Sequence, residues 1–160
     1  MSAMLGDLPT WNLADLYSSP TGPDLDADLK RAAAEAEAFA RDYEGKIAGL
    51  DRASGKKVWE YLNGRRYEND RGDGPRSTPT VEDDRLYVLG GSGDLTCLEN
   101  ATGRKIWSIN LIQKFGGRNP YWGYSESPLI VGDRILVNAG GPRASIVAIA
   151  KADGATLWQN

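Results

Sequence analysis

The sequence predicts a mainly β protein made of short antiparallel sheets that repeat along the chain. Three passages share one pattern, in which a tryptophan follows a glycine by four residues: 51–59, 99–107 and 150–158. The tryptophans lie 48 and 51 residues apart (107 − 59 and 158 − 107). A fixed period of this size is typical of repeat architectures, whose units bury their apolar faces only against neighbouring units.

Each period contains four short runs with strand-like composition, separated by polar or glycine-rich turns. In the second period they cover 80–81, 85–89, 94–98 and 104–109, and in the third 128–131, 134–138, 145–149 and 155–158. Four short strands in roughly 50 residues predict one blade of a β-propeller. The fold class is therefore about two four-stranded blades plus part of a third.

The first fifty residues have a different character. Apolar side chains from Leu25 to Ile47 follow helical spacing, which predicts one amphipathic helix capped by Asp24 and ending near Gly45 and Gly49. Residues 1–50 hold 4 basic and 9 acidic side chains, whereas residues 51–160 hold 15 and 13. This step in composition predicts a helical segment over 1–49 and a partial propeller over 50–160.

Several classes of chemistry are excluded by composition. The chain has no histidine, so Ser-His-Asp and Cys-His arrangements are absent. The single cysteine, Cys97, falls in an apolar strand and is predicted to be a small buried hydrophobe. A net charge of −3 gives no argument for nucleic acid or an anionic membrane as partner. Residues 1–22 show neither a basic nor an apolar signal region, so the expected location is the cytoplasm.

Two stretches between the predicted blades are candidates for binding. Residues 115–124 cluster aromatic side chains with a cation, and loops between blades carry binding residues in many propellers. The alternative for this loop is packing between blades. Residues 65–76 contain four arginines interleaved with acids, and there a solvated loop is favoured over a phosphate site. The candidate contact residues are Arg118, Tyr121, Trp122 and Tyr124.

The repeated pattern resembles Ala-x-Asp-x-x-Thr-Gly-x-x-x-Trp, the tryptophan-docking motif of quinoprotein-like (PQQ-like) β-propeller repeats. The resemblance covers about residues 50–160. It implies that each tryptophan wedges between adjacent blades, and that glycine permits the close approach. The residues to which it gives this structural role are Trp59, Trp107, Trp158, Gly55, Gly103 and Gly154.

The same resemblance bears on catalysis. Quinone-dependent dehydrogenases of this type hold their cofactor and calcium at the centre of a closed ring, and a typical propeller needs 4 to 8 blades. Because this sequence predicts only two blades and part of a third, we expect no cofactor, no metal and a non-catalytic structural or protein-interaction role. Many of the propeller relatives are exported proteins. A truncated quinone-dependent oxidoreductase is the alternative. Open blade edges also predict a protein partner or self-association.

Residues 5–50 resemble the N-terminus of oligoendopeptidase F-type zinc metallopeptidases. That family's His-Glu-x-x-His motif is absent from this chain, so zinc peptidase activity by that route is excluded. The resemblance implies a fusion of two family fragments, and an inactive peptidase fragment is a further alternative. The residues that carry it are Leu8, Pro9, Trp11, Leu13, Leu16, Tyr17, Asp28, Leu29, Phe39 and Tyr43 to Lys46.

Overall fold

The computed structural model describes residues 16–19, 21–42 and 45–160 of the chain. It divides the chain into two compact units, Met1–Asp42 and Tyr43–Asn160. The boundary falls earlier than the predicted one after Gly49, because the residues around Gly49 form a strand of the second unit. Residues 8–15, 43 and 44, which include part of the peptidase-like motif, lie outside the described residues.

The described residues of the first unit include one helix, α1 (Pro23–Asp42). It begins one residue before the predicted cap Asp24. Proline suits this first position, since an N–H there has no partner within the helix. The Asp26 N–H donates to the Gly22 carbonyl at 3.2 Å, and Asp24 and Asp26 place negative charge in the first turn. The prediction that the helix continues to Ile47 is wrong, since Ile47 pairs with Tyr61 in a sheet.

The described residues of the second unit form three antiparallel sheets in chain order. The first has two strands and the other two have four each, and strands that are consecutive in the chain are hydrogen-bonded neighbours in the sheet. This confirms the predicted fold class of two blades plus part of a third. The strands are β1 (Lys46–Leu50), β2 (Lys57–Leu62), β3 (Thr80–Glu82), β4 (Arg85–Leu89), β5 (Asp94–Glu99), β6 (Lys105–Asn110), β7 (Leu129–Val131), β8 (Arg134–Gly141), β9 (Ala144–Ala150) and β10 (Thr156–Gln159).

We call the three sheets the first sheet (β1–β2), the second blade (β3–β6) and the third blade (β7–β10). A short helix that the sequence did not predict, α2 (Leu111–Phe115), follows the second blade. The Gln113 N–H donates to the Asn110 side chain at 3.1 Å at the start of α2, and Gly116 ends it in the left-handed region.

Apolar side chains of β4 point alternately to both neighbouring sheets, since successive residues of a strand face opposite sides. Leu86 and Val88 pack toward the first sheet, and Tyr87 and Leu89 pack toward the third blade. The larger core lies between the second and third blades. Its buried members include Leu95, Cys97, Trp107, Ile135, Val147 and Ile149. Cys97 is free and buried, as predicted.

Candidate functional site

Each motif glycine belongs to a five-residue turn that ends in it, and we call these the motif turns: 51–55, 99–103 and 150–154. In all three the glycine N–H donates to the carbonyl of the first residue of the turn, at 2.8, 2.9 and 3.0 Å. The glycines have φ of 68°, 68° and 76°, a left-handed conformation that favours glycine. The turns are therefore equivalent in geometry.

Two of the three tryptophans dock on the motif turn of the following blade. The Trp59 Nε1–H donates to the Asn100 carbonyl at 3.0 Å, and its ring covers Gly103, where an added Cβ would lie 2.3 Å from the ring. Trp107 repeats the arrangement one blade on. Its Nε1–H donates to the Lys151 carbonyl at 2.9 Å, and an added Cβ on Gly154 would lie 2.9 Å from its ring.

The third tryptophan and the first motif glycine are placed differently. Trp158 is 52% exposed. An added Cβ on Gly55 would meet no atom of the described residues within 4 Å. The structure also assigns a role to Gly49, which lies opposite Trp59 in the sheet and leaves room for the indole above it. Cys97 and Ala148 are the corresponding small residues opposite Trp107 and Trp158.

Two loops connect successive sheets, and the candidate contact residues all lie in the second of them. We call residues 63–79 the first interblade loop and residues 116–128 the second interblade loop. The Tyr121 carbonyl accepts hydrogen bonds from the Tyr67 hydroxyl at 2.5 Å and from the Asn69 amide at 2.9 Å. The Tyr121 hydroxyl in turn donates to the Asp70 carboxylate at 3.0 Å. These bonds hold the two loops together.

An aromatic pair stands exposed on this double loop. Tyr121 and Trp122 are 61% and 47% exposed, and their rings meet edge to face with centroids 5.0 Å apart. The Arg71 guanidinium lies 5.1 Å from the Trp122 ring, within the range of a cation–π contact. We call Arg71, Tyr121 and Trp122 the aromatic patch. It combines two flat apolar rings with one fixed positive charge.

The other two predicted contact residues do not join this patch. Tyr124 is only 4% exposed, and its hydroxyl donates to the Ala139 carbonyl at 2.8 Å, which ties the loop to the third blade. Burial raises the pKa of Tyr124, with the nearby Glu126 carboxylate adding to the rise. Arg118 is exposed in the same loop. The prediction grouped Tyr124 with its aromatic neighbours, yet its side chain enters the core.

The sequence missed the residues of the first interblade loop that support the aromatic patch. Asp70 and Arg71 were placed in a solvated basic stretch, but they contact Tyr121 and Trp122. Two other arginines of that stretch also have partners within the loop. Arg66 forms an ion pair with Asp73 at 2.8 Å, and Arg76 lies 5.7 Å from the Tyr67 ring. No periodic pattern links residues about 50 positions apart in two irregular loops.

Within residues 16–19, 21–42 and 45–160, no three or more His, Cys, Asp or Glu side chains gather where a metal ion would fit. No helix within the same ranges has the length and apolar character needed to cross a membrane.

The sheets and their tryptophan docks define this chain as a repeat protein of the β-propeller class. A family model described as outer membrane protein assembly factor BamB matches residues 43–160, which is most of the chain. The chain therefore belongs to this family. The match begins at the boundary between the two units, and the resemblance of residues 5–50 to oligoendopeptidase F-type peptidases stays a prediction.

Individual relatives agree with this assignment. The outer membrane protein assembly factor BamB of Salmonella typhimurium is 31% identical over 85 residues, which is 51% of this chain and 20% of that protein. The Escherichia coli protein of the same name is 27% identical over 86 residues, with the same coverage. This chain thus matches about a fifth of the length of these curated relatives.

Solved structures show the same fold. Quinohemoprotein alcohol dehydrogenase from Comamonas testosteroni superposes with a TM-score of 0.53 at 20% identity, over 72% of this chain and 18% of that one. A europium-containing methanol dehydrogenase gives 0.52 at 17% identity, over 71% and 20%. At this level of identity the likeness shows the fold alone.

Proposed function

We propose that this chain is a non-catalytic protein-interaction module that binds a protein partner through the aromatic patch. The observation that carries the proposal is the exposed Tyr121–Trp122 pair with Arg71 stacked against it. Tryptophan, tyrosine and arginine are the residue types that most often dominate the energy of protein interfaces. Single exposed apolar residues are ordinary on a surface, but two adjoining rings with a fixed cation are a typical anchor.

Hydrogen bonds beneath the aromatic patch hold it in place, which favours binding. The Tyr121 backbone and hydroxyl are both hydrogen-bonded to the first interblade loop. A ring held in place before binding loses less conformational entropy when a partner covers it, so more of the contact energy appears as affinity. The hydrogen bonds between the loops therefore have a consequence for binding as well as for stability.

The named function of the curated relatives agrees with this class of role. They are outer membrane protein assembly factors by name. We extend to this chain the part of that description concerned with acting on other proteins. The proposed partner is a folded protein or a segment of one that offers an apolar side chain to the two rings and a carboxylate or carbonyl to Arg71.

The test begins with a photo-crosslinking amino acid placed at Trp122 in the organism that makes the protein, with Leu129 as the control position. Leu129 is 59% exposed on β7 and lies outside the aromatic patch. Crosslinks at residue 122 that are absent at residue 129 identify the partner, which is then purified for binding measurements. Absence of any protein crosslinked at residue 122 would contradict the proposal.

Affinities measured with the purified partner then distinguish the anchoring ring of Trp122 from the supporting hydroxyl bond of Tyr121. We expect Trp122→Ala to weaken binding by about 30-fold, as for a central interface anchor, and Leu129→Ala to leave it unchanged. Tyr121→Phe keeps the ring and removes only the hydroxyl bond to Asp70, so it should weaken binding less than Tyr121→Ala does. Equal affinity of the Trp122→Ala variant and the unaltered protein would overturn the proposal.

A further inference from the structure

We infer that a cleft between the second and third blades binds a free amino acid through its carboxylate and ammonium groups. The cleft has a volume of about 330 Å³, at the lower end of the range for small-molecule pockets. It is separate from the aromatic patch and does not depend on the proposed function. The lining residues that matter for binding are Glu82, Asp83, Arg85, Tyr87, Asp133 and Lys151.

The floor of the cleft offers two hydrogen-bond donors that lack an acceptor. Tyr87 borders the cleft and is fully buried, and its hydroxyl has no hydrogen-bond partner among the described residues. The Arg85 Nε atom lies 3.9 Å from the Asp84 carboxylate, but the Arg85 Nη1 atom is buried and also lacks a partner. The Cys97 thiol lies close to both groups, yet sulfur is only a weak acceptor. Because an unpaired buried donor costs free energy, this floor fits an oxygen atom that carries negative charge.

The mouth of the cleft is acidic, so a simple anion is a poor ligand for it. The Glu82 carboxylate forms an ion pair with Lys151 of the third blade. Asp133 pairs with Arg134 at 3.1 Å. The Asp83 carboxylate is exposed and has neither a hydrogen bond nor an ion pair among the described residues. The mouth therefore favours a positively charged group on the ligand.

A free amino acid meets both requirements at once. Its carboxylate accepts from the Tyr87 hydroxyl and the Arg85 Nη1–H at the floor, while its ammonium, one carbon atom away, faces Glu82 and Asp83 at the mouth. Burial raises the pKa of Tyr87 to about 12, so the hydroxyl keeps the proton that it donates. Hydrogen bonds to a charged group are roughly twice as strong as those between neutral groups.

The third blade shows that a blade forms without these polar groups. Its first two strands, β7 and β8, pair in the same register as β3 and β4 of the second blade. At three of the cleft positions it nevertheless has apolar or small side chains, so the fold alone does not require a carboxylate or a phenol there. The residues that replace Glu82, Asp83 and Tyr87, each 49 positions further on, are Val131, Gly132 and Leu136.

Entry of the ligand requires movement of side chains only. Because Tyr87 is shielded from water, a long side chain above it must turn outward. The Lys151 and Arg85 side chains are 23% and 33% exposed, and partly exposed side chains of this kind change rotamer within nanoseconds. When Lys151 turns away, the ligand's ammonium takes its place as the partner of Glu82.

The first experiment measures whether amino acids bind to the purified full chain. Thermal unfolding is recorded with each genetically encoded L-amino acid, and the affinity of the strongest binder is then measured by calorimetry. Acetate and methylammonium each carry one half of the proposed recognition group and serve as controls. We expect the best amino acid to bind at least about 10-fold more tightly than either control. No binding by any amino acid, or acetate binding as tightly as the best one, would overturn the inference.

Variants of the floor test the two donors. Tyr87→Phe removes only the hydroxyl and should weaken binding of the amino acid about 10-fold, without lowering the unfolding temperature of the free protein. Arg85→Met keeps an unbranched side chain and should weaken binding by at least about 30-fold. Arg104→Met is the matched control, because Arg104 lies in the second blade outside the cleft and pairs with Glu99. It should leave the affinity unchanged.

A variant of the mouth separates the two halves of the ligand. Asparagine at position 83 tolerates the left-handed φ of 52° and removes the carboxylate. Asp83→Asn should bind the amino acid about 3-fold more weakly, as for an exposed ion pair, and acetate more tightly because repulsion is lost. Unchanged amino acid affinity in the Tyr87→Phe and Arg85→Met variants, or parallel weakening of both ligands in the Asp83→Asn variant, would contradict the assigned site.

Discussion

The two interblade contacts use the same tryptophan dock but differ in the core around it. Between the second and third blades, Trp107 is 7% exposed and belongs to a continuous buried core with Tyr87, Leu95 and Ile149. Between the first sheet and the second blade, Trp59 is only half-buried, and a cavity of about 480 Å³ opens beside it. The buried residues there are Leu86, Val88 and Leu98.

The difference follows from the number of strands in each partner. The first sheet has the two strands that correspond to β5 and β6, and none of its described residues correspond to β3 and β4. A full blade covers its neighbour across four strands, whereas the first sheet covers only the part near the tryptophan. The comparison teaches that the motif specifies where two sheets meet, while the strand count decides how much apolar surface the meeting buries.

The largest expected effect comes from truncating the two docked tryptophans. Trp107→Ala removes a large buried ring and should lower the free energy of unfolding by about 4 kcal/mol, within the range for buried aromatic residues. Trp59→Ala should cost about half as much, because its ring is already partly in water and next to a cavity. Urea unfolding followed by circular dichroism measures both values.

Equal losses for the two tryptophan variants would contradict the comparison. A Trp158→Ala variant measured at a concentration where the protein is monomeric provides the control. Its ring is 52% exposed within one chain, so it should cost less than either docked tryptophan.

The amount that could be predicted from sequence differs between these features. The tryptophan–glycine spacing and the strand positions were readable because each is a local pattern repeated in register. The end of α1 could not be predicted, because Ile47 fits the apolar stripe of a helix. Only its pairing with Tyr61 shows that it belongs to a strand. Helix α2 has five residues, which is too short for a periodic signal.

The candidate site shows the same limit. Adjacency of Tyr121 and Trp122 was visible, and both proved exposed, but their contacts with Asp70 and Arg71 join distant irregular segments. Tyr124 looked equivalent to Trp122 from sequence. Its burial depends on the Ala139 carbonyl of β8, a tertiary partner that no local pattern specifies.

Two glycines with the same backbone conformation separate docking from backbone strain. Gly55 and Gly103 both have φ of 68°, but only at Gly103 would a Cβ strike an indole ring. Gly55→Ala should therefore cost about 1 kcal/mol, the cost of a left-handed alanine. Gly103→Ala should cost about 3 kcal/mol, since overpacking is added to the same strain.

Urea unfolding of monomeric protein measures the loss of unfolding free energy in both variants. A Gly103→Ala variant no less stable than the Gly55→Ala variant would show that the turn, rather than the docked ring, is what the glycine serves.

A pH dependence is expected from the larger core. Burial raises the pKa of Tyr87 to about 12, and the Cys97 thiol opposite it adds to the rise. A raised pKa in the folded state means that folding favours the neutral phenol. Its contribution is therefore fully present below pH 10, the ordinary pKa of tyrosine, and is lost as the pH rises toward about 12.

The shift predicts a loss on the order of 2 kcal/mol in unfolding free energy between pH 10 and pH 12. Tyr87→Phe keeps the ring and removes the ionising group, so this variant should lose less stability over the same interval. Tyr124 is a poorer control, because its hydroxyl also bonds to Ala139. If the Tyr87→Phe variant and the unaltered protein decline in parallel, the alkaline loss arises elsewhere, and the two interblade cores differ in area but not in their response to pH.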